Sequence, residues 1–333
     1  MKKLIICFIL CGLYLSLAAE LYFQQSLAAS LDSDLKFSAV ELGLNYKPKL
    51  QYQYDFSANY FSDLYYEHHL LLRGGSQEIK LSQEIYRAWL RLAGDFLTIR
   101  LGRQKINFGT ARFLRTLRWF DTINPLDPKA ESSGVDALLL RYYFADNQNI
   151  WLWLVQGKQG SLKGNEQLPS AENLEPGLRW QMVLGNAEIA LAAHHRQRLD
   201  LQHETKLAGD FRCDYFLGFW GEFQYLFTTE ATQQQFTLGS DYTLPIFNGW
   251  HIMLEQQLFS NSQIPNLTAL SLDFPLSLFD SFTLAYLRSS QSQNLSLQYQ
   301  RSYDQLFWYI LLGRQEQNSV FENNISLNLS YHF

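Results

Sequence analysis

Cysteine is scarce in this chain, at Cys7, Cys11 and Cys213 only. The first two fall in an N-terminal apolar stretch expected to be removed, so Cys213 is left alone and no internal disulfide can form. Basic residues are in deficit. Lys and Arg number 27 against 32 Asp and Glu, a formal charge of -5 that becomes -7 once Lys2 and Lys3 are lost. That mild acidity argues against nonspecific nucleic-acid binding. Charged residues amount to only 18 %, yet long apolar runs are missing too. Beyond the N-terminus the longest obvious one is Ile150 to Val155, far below the roughly 20 residues of a spanning helix. A transmembrane helix in the mature chain is thereby excluded. No Gly-rich phosphate loop is present. No serine or carboxylate stands at a spacing that would orient His68, His69, His194, His195 or His203 for catalysis. Adjacent histidines on a strand point to opposite faces and cannot share a metal without distortion. No enzyme activity, cofactor or metal is expected.

Aromatics, by contrast, are abundant. They make up 15 % of the chain, with 24 Phe and 19 Tyr. At the N-terminus, Lys2 and Lys3 precede an apolar stretch from Leu4 to Leu17, followed by Ser16, Leu17 and Ala18. A basic start, a short apolar core and small residues at the end describe a secretory signal peptide, residues 1–18, with cleavage after Ala18. Phe8, Ile9 and Leu10 are too bulky for a lipid-attachment box before Cys11.

The last residues alternate without a break. Ile325, Leu327, Leu329, Tyr331 and Phe333 are apolar, and Asn324, Ser326, Asn328, Ser330 and His332 between them are polar. A strand of about ten residues, apolar on one face, has the length and pattern of a transmembrane β-strand. A terminal Phe on such a strand resembles the C-terminal signature of bacterial outer-membrane β-barrels. The resemblance implies that Phe333 is an assembly signal read by the barrel-assembly machinery, with outer-membrane lipid as a partner. Backbone groups in lipid must be satisfied internally, so a chain without spanning helices crosses only as a closed barrel. Excess aromatics suit the girdles of such a barrel. A secreted β-sandwich or β-helix is the alternative that composition leaves open.

Counting back from Phe333 gives eighteen period-two segments. They lie near 20–28, 35–46, 49–61, 82–92, 96–104, 135–144, 149–157, 176–184 and 187–196, then near 210–217, 221–228, 234–244, 249–260, 266–276, 280–289, 292–302, 305–314 and 322–333. Tyr65 to Leu72 is an alternative strand. Short connections, such as Tyr46 to Lys49, Ala93 to Asp95 and Leu184 to Ala187, alternate with longer ones at 62–81, 105–134, 158–175, 197–209 and 315–321. Short periplasmic turns and longer outer loops have this rhythm. The mature chain, 19–333, reads as one all-β domain, an antiparallel up-and-down barrel of 16–18 strands.

In a barrel this wide the apolar set faces outward and the polar set faces a lumen too wide for side chains to fill. Arg87, Arg91, Arg100, Arg141 and Arg179 fall on the polar parity of one group of strands. Glu222, Asp241, Glu255 and Asp273 fall on the polar parity of another group, several strands away. A basic wall opposite an acidic wall sets up a transverse field, similar to the constriction of general porins. Pairing of these charges with neighbours, merely keeping the lumen wet, is the other reading.

Residues 86–128 form the densest internal motif. A hairpin ends in Leu101, Gly102, Arg103 and Gln104, and Phe108 and Gly109 follow. The stretch resembles the alginate-export family and related porin-like proteins over about forty residues, and its Asn124-Pro125 ending is closer to other porin-like groups. Gly102 and Gly109 permit a bulge or close backbone approach. Arg112, Arg115 and Arg118 are spaced by three, so one helical turn would place them on one face, with Asp121 and Asp127 after them. A loop this long is usually functional or disordered, and Trp119, Phe120 and Pro125 equip it to pack inside the pore. An ordinary external loop is the alternative. The expected function is a porin-like channel for small polar or anionic solutes, since basic side chains lining a pore favour anions. Export of an acidic polysaccharide and a non-conducting structural or adhesion barrel are the alternatives. Homo-oligomerisation is left open.

Overall fold

A strand with one apolar face satisfies its backbone only with a partner along each edge. The computed structural model of the chain describes residues 17–31, 37–57, 60–74, 79–121, 123, 132–304, 306–317 and 320–332. These residues contain no helix. They form β1 (Leu17–Leu31), β2 (Phe37–Ser57), β3 (Tyr60–Gly74), β4 (Ile79–Ala93), β5 (Leu97–Gln104), β6 (Val135–Tyr143), β7 (Asn149–Gln156), β8 (Leu174–Leu184) and β9 (Ala187–Gln197). The series continues with β10 (His203–Asp214), β11 (Gly218–Thr228), β12 (Thr232–Leu244), β13 (Trp250–Phe259), β14 (Leu267–Pro275), β15 (Asp280–Arg288), β16 (Ser292–Tyr303), β17 (Leu306–Gln317) and β18 (Val320–His332). Each strand runs antiparallel to the next, as β8 does to β9 and β17 to β18. β1 pairs with β2 on one edge and with β18 on the other, with Leu27 opposite Leu327. The sheet is therefore a closed barrel without a free edge.

Parity behaves as the alternation requires. Leu140, Leu152, Leu178, Ala193, Leu207 and Tyr225 are cross-strand partners in one continuous row over β6 to β11. Leu152, Leu178, Leu207 and Tyr225 are exposed on the outer face. On β18, Leu327 and Leu329 are exposed while Asn328 between them is buried inside.

Two N-terminal expectations are corrected, and they compensate in the strand count. Tyr46 to Lys49 is not a turn, because β2 continues through it. The β2–β3 ladder skips Lys47 and Pro48, where proline has no N–H to give, while the β1–β2 ladder stays intact. Residues 62–81 are not a loop, since β3 and β4 occupy most of them. Their pairing shifts between Glu67 and His68, leaving Tyr86 as the extra residue of a bulge. That shift broke the alternation on which the sequence reading depended. Residues 203–209, read as loop, begin β10.

Tyr22 pairs with His332, so the start of β1 and the end of β18 lie at one rim, the near rim. Connections there are short, for example 94–96 and 185–186. The two long connections, 105–134 and 157–173, leave the opposite, far rim. Beyond β9 the short-long rhythm fades, because far-rim connections shrink to 198–202 and 229–231.

Candidate functional site: a loop seated inside the barrel

The first part of the β5–β6 connection, residues 105–121, folds into the lumen. Ile106, Phe108, Leu117, Trp119 and Phe120 are buried against inward-facing Val135, Ala137, Leu139, Trp153, Val155, Ala192 and Ala208. Phe108 meets the edge of Trp119 at 5.1 Å between centroids and stacks on Trp153 at 5.6 Å. Edge-to-face and offset stacks of this kind add about 0.5–1.5 kcal/mol per pair beyond area burial. The hydrophobic core of the molecule thus lies between one loop and one side of the wall.

Polar anchors fix the loop's position. Glu255 Oε1 accepts the Arg112 N–H at 2.7 Å and the Trp220 Nε1–H at 2.9 Å. Its Oε2 accepts the N–H groups of Phe113 at 2.9 Å and Leu114 at 2.6 Å. Glu222 accepts the N–H groups of Ala111 and Leu117, each at 2.8 Å. Thr237 Oγ1 and Gln257 Nε2 both donate to the Leu114 carbonyl. A loop without secondary structure leaves its backbone donors unpaired, and here two wall carboxylates take five of them. Gly109 makes the approach possible. Its φ is +100°, and a Cβ there would overlap Glu222 Oε1. Gly102 has a φ of +118°, and a Cβ there would meet the Ala88 carbonyl.

This corrects the acidic wall. Glu222 and Glu255 carry the inward parity expected of them, but both are fully buried under the loop and do not border open lumen. Asp241 and Asp273 remain on the inner surface, joined through His251 at 3.3 and 3.4 Å. Thr283 also donates to Asp273 at 2.6 Å.

The loop arginines are corrected as well. They form no helical turn, and Arg112 does not share a face with Arg115 and Arg118. Arg112 is half-exposed and reaches Asp241 at 3.4 Å, with its guanidinium 5.9 Å from the Trp220 ring. Arg115 makes a two-pronged pair with buried Asp121 at 2.9 and 2.8 Å and donates to Asn107. Arg118 donates to Asn165 Oδ1 and to the Ile123 carbonyl. Burial holds its guanidinium below the usual arginine range. The loop's bends point its side chains in different directions, which spacing alone does not reveal. Asp127 and Phe333 lie outside the described residues.

The basic strand residues gather on the other side. Arg91 pairs with Asp63 through two bonds of 2.8 and 2.7 Å. Arg100 stands directly across the ladder from Arg91. Its guanidinium lies 4.5 Å from the Trp89 ring, and that of Arg141 lies 3.7 Å from Trp151. Arg87 is 4.0 Å from Glu67. The Nε atoms of Arg87, Arg100 and Arg141 are buried without a hydrogen-bond partner among the described residues. Aromatic faces attract these cations without neutralising them. Arg179 departs from the set, being buried and paired with Asp210.

One cluster was not anticipated. The connection 157–173 sends Lys163 to Glu175 at 2.7 Å and Glu166 to Arg196 at 3.2 Å. Arg196 also pairs with Glu204, and His194 lies 3.4 Å from Glu175. Burial pushes the Glu166 carboxyl above its usual range. The signal was the inward parity of Arg196, Glu204 and Lys206, hidden because β10 was read to start too late. His195 and His203 face outward and stack at 5.3 Å.

No family model matches the sequence, and no curated protein matches it. The fold, however, is similar to that of solved structures, an anion-selective porin among them. For OccK5 (OpdH) of Pseudomonas aeruginosa the TM-score is 0.65 at 9 % identity, covering 96 % of this chain and 98 % of that one. For a doubly substituted form of OccD1 (OprD) it is 0.64 at 10 % identity, covering 95 % of each. For an anion-selective porin from Comamonas acidovorans it is 0.55 at 13 % identity, covering 96 % and 100 %.

Proposed function

We propose that the chain is an outer-membrane channel through which small polar or anionic solutes diffuse, with loop 105–134 as its constriction. The observation that carries this reading is the seating of the loop. Glu222 and Glu255 tie it to β11 and β13, and Arg87, Arg91, Arg100 and Arg141 line the wall of β4 to β6 on another side. A solute would pass between the two. The fold likeness to an anion-selective porin supports the same reading, as do aromatic-backed arginines, which keep their charge for a passing anion. The structures matched above lend nothing to polysaccharide export.

The remaining expectations belong to this proposal. Residues 1–18 direct secretion, and cleavage after Ala18 would take the first two residues of β1, which pair with Tyr52 and Gln51. Phe333 serves the barrel-assembly machinery. The protein works without a cofactor and is not an enzyme. A planar-bilayer recording with paired salts tests the function. Discrete conductance with a reversal potential on the anion side is expected. A barrel that inserts and never conducts would be structural or adhesive instead.

A further inference from the structure

On the far-rim side of the seated loop lies a cavity of about 600 Å³, bounded by the loop, by residues 165–168 and by the inner face of β10 to β15. Its charges largely cancel. Arg115, Arg118, Arg198 and Lys206 line it together with Glu166, Glu204 and Glu230. Arg115 is engaged by Asp121, Arg198 by Asp200, Lys206 by Glu204 and Glu166 by Arg196. What is left is one group of each sign. Arg118 is held by an amide and a carbonyl, and Glu230 by the Gln202 amide. Such a cavity has no strong preference for an ion of either sign.

Its unspent capacity is of another kind. Gln167, Gln233 and Gln235 line the cavity and make no side-chain hydrogen bond among the described residues. Gln224 gives only its carbonyl oxygen, to Trp119, and Gln257 uses only its amino group, on Leu114, Thr116 and Thr237. Each carboxamide has two donors and an acceptor, so the lining both gives and takes hydrogen bonds at neutral groups. Beside the amides stand the half-buried rings of Phe113 and Phe259.

We propose that this cavity is a binding subsite for neutral polyhydroxylated solutes, namely small saccharides. Hydroxyl groups match carboxamides in both directions, and the C–H faces of a sugar ring pack on phenyl rings. The volume falls within the roughly 300–1,000 Å³ of small-ligand sites. The inference rests on the channel reading and deepens it. The cavity would select hydroxylated solutes ahead of the constriction, and the arginine wall would act on charge.

The test uses the whole barrel in planar bilayers with maltotriose as probe. Added on the far-rim side, the sugar should reduce the ion current along a saturating curve. Gln233→Leu with Gln235→Leu should raise the half-blocking concentration at least tenfold, and Phe259→Ala should also raise it, each judged against its own sugar-free current. Heat-dependent gel mobility reports whether each variant has folded. A current that falls only as bulk viscosity dictates, equally in all forms, would overturn the proposal. So would stronger block by a uronate trisaccharide of the same length. If the wild type carries no current at all, the channel reading fails, and calorimetric titration of maltotriose into the detergent-solubilised barrel decides. Saturating heat that the double variant loses keeps the subsite, and its absence in the wild type removes it.

Discussion

Replacing Glu255 by Gln should loosen the constriction loop while leaving the barrel intact. The side chain lies on β13 with no exposed surface, and it accepts hydrogen bonds from Arg112, Phe113, Leu114 and Trp220. Gln has the same shape, but one oxygen becomes an amino group. Whichever way the amide turns, two N–H donors then face a donor. A buried donor left unsatisfied costs about 1–3 kcal/mol, and the two bonds that survive weaken from charged to neutral. Neutralising the side chain also removes the cost of burying its charge, which offsets part of the loss. A net of about 3 kcal/mol against seating is a reasonable central value, and every 1.4 kcal/mol is tenfold. The seated fraction should fall by about a hundredfold relative to the unseated one. Glu222 and the Trp119 cluster still hold the rest of the loop, so the change should appear as excursions. Single-channel recording should show frequent steps to a higher conductance, absent from the wild type. Conductance and open-channel noise identical to wild type, in a barrel of normal heat stability, would mean that the carboxylate does not hold the loop.

Other outcomes follow from the same geometry. Leu327→Arg should cost about 2–4 kcal/mol if the position lies near the bilayer midplane, and Asn328→Arg much less, because only the first places charge on the lipid face. Refolding titrations into vesicles measure the contrast, and equal losses would show that the faces are reversed. Arg112→Ser should shift the reversal potential in a salt gradient, and the shift should shrink at high ionic strength as screening shortens. Replacing Arg115 by Ser together with Asp121 by Asn should leave that potential nearly unmoved, since the pair carries no net charge; a shift equal to that of Arg112→Ser would refute this division. Deleting Phe333 should lower the amount of assembled barrel without lowering synthesis, and equal surface abundance would show that the residue is not read. Glu166 has a folded pKa above its ordinary 4.5, so the native state holds its proton more tightly than the unfolded one. Stability from this group is present at low pH and is lost as pH rises from about 4.5. Glu166→Gln should flatten that part of the pH profile of thermal unfolding, and an unchanged slope would refute it.

The barrel was legible because its signal is local. Alternation in β16 and β18 needs only neighbouring residues, and closure then follows from the need to satisfy every edge. Where alternation fails, the reading failed. Pro48 looked like a turn because a proline in a strand usually ends it, and the bulge at Tyr86 broke the pattern of β3 and β4. The site was legible in parity and opaque in partnership. Glu222 and Glu255 were placed on the inner face correctly. That they hold backbone N–H groups 105 to 143 residues away was beyond any local pattern. The loop arginines show the converse, since regular spacing implies a shared face only where the backbone is helical.

Those same long separations impose an order on assembly. The loop precedes the strands that receive it, for the carboxylates that hold it arrive only with β11 and β13. Until those strands are in place the backbone N–H groups of residues 111–117 lack their carboxylate partners, although Trp119 and Phe120 already have the inner face of β6 to β10 to pack on. Contacts so distant in sequence form late, because loop-closure entropy opposes them until the intervening chain is organised. The constriction therefore takes shape after the hairpin that carries it, once β11 and β13 have joined the wall.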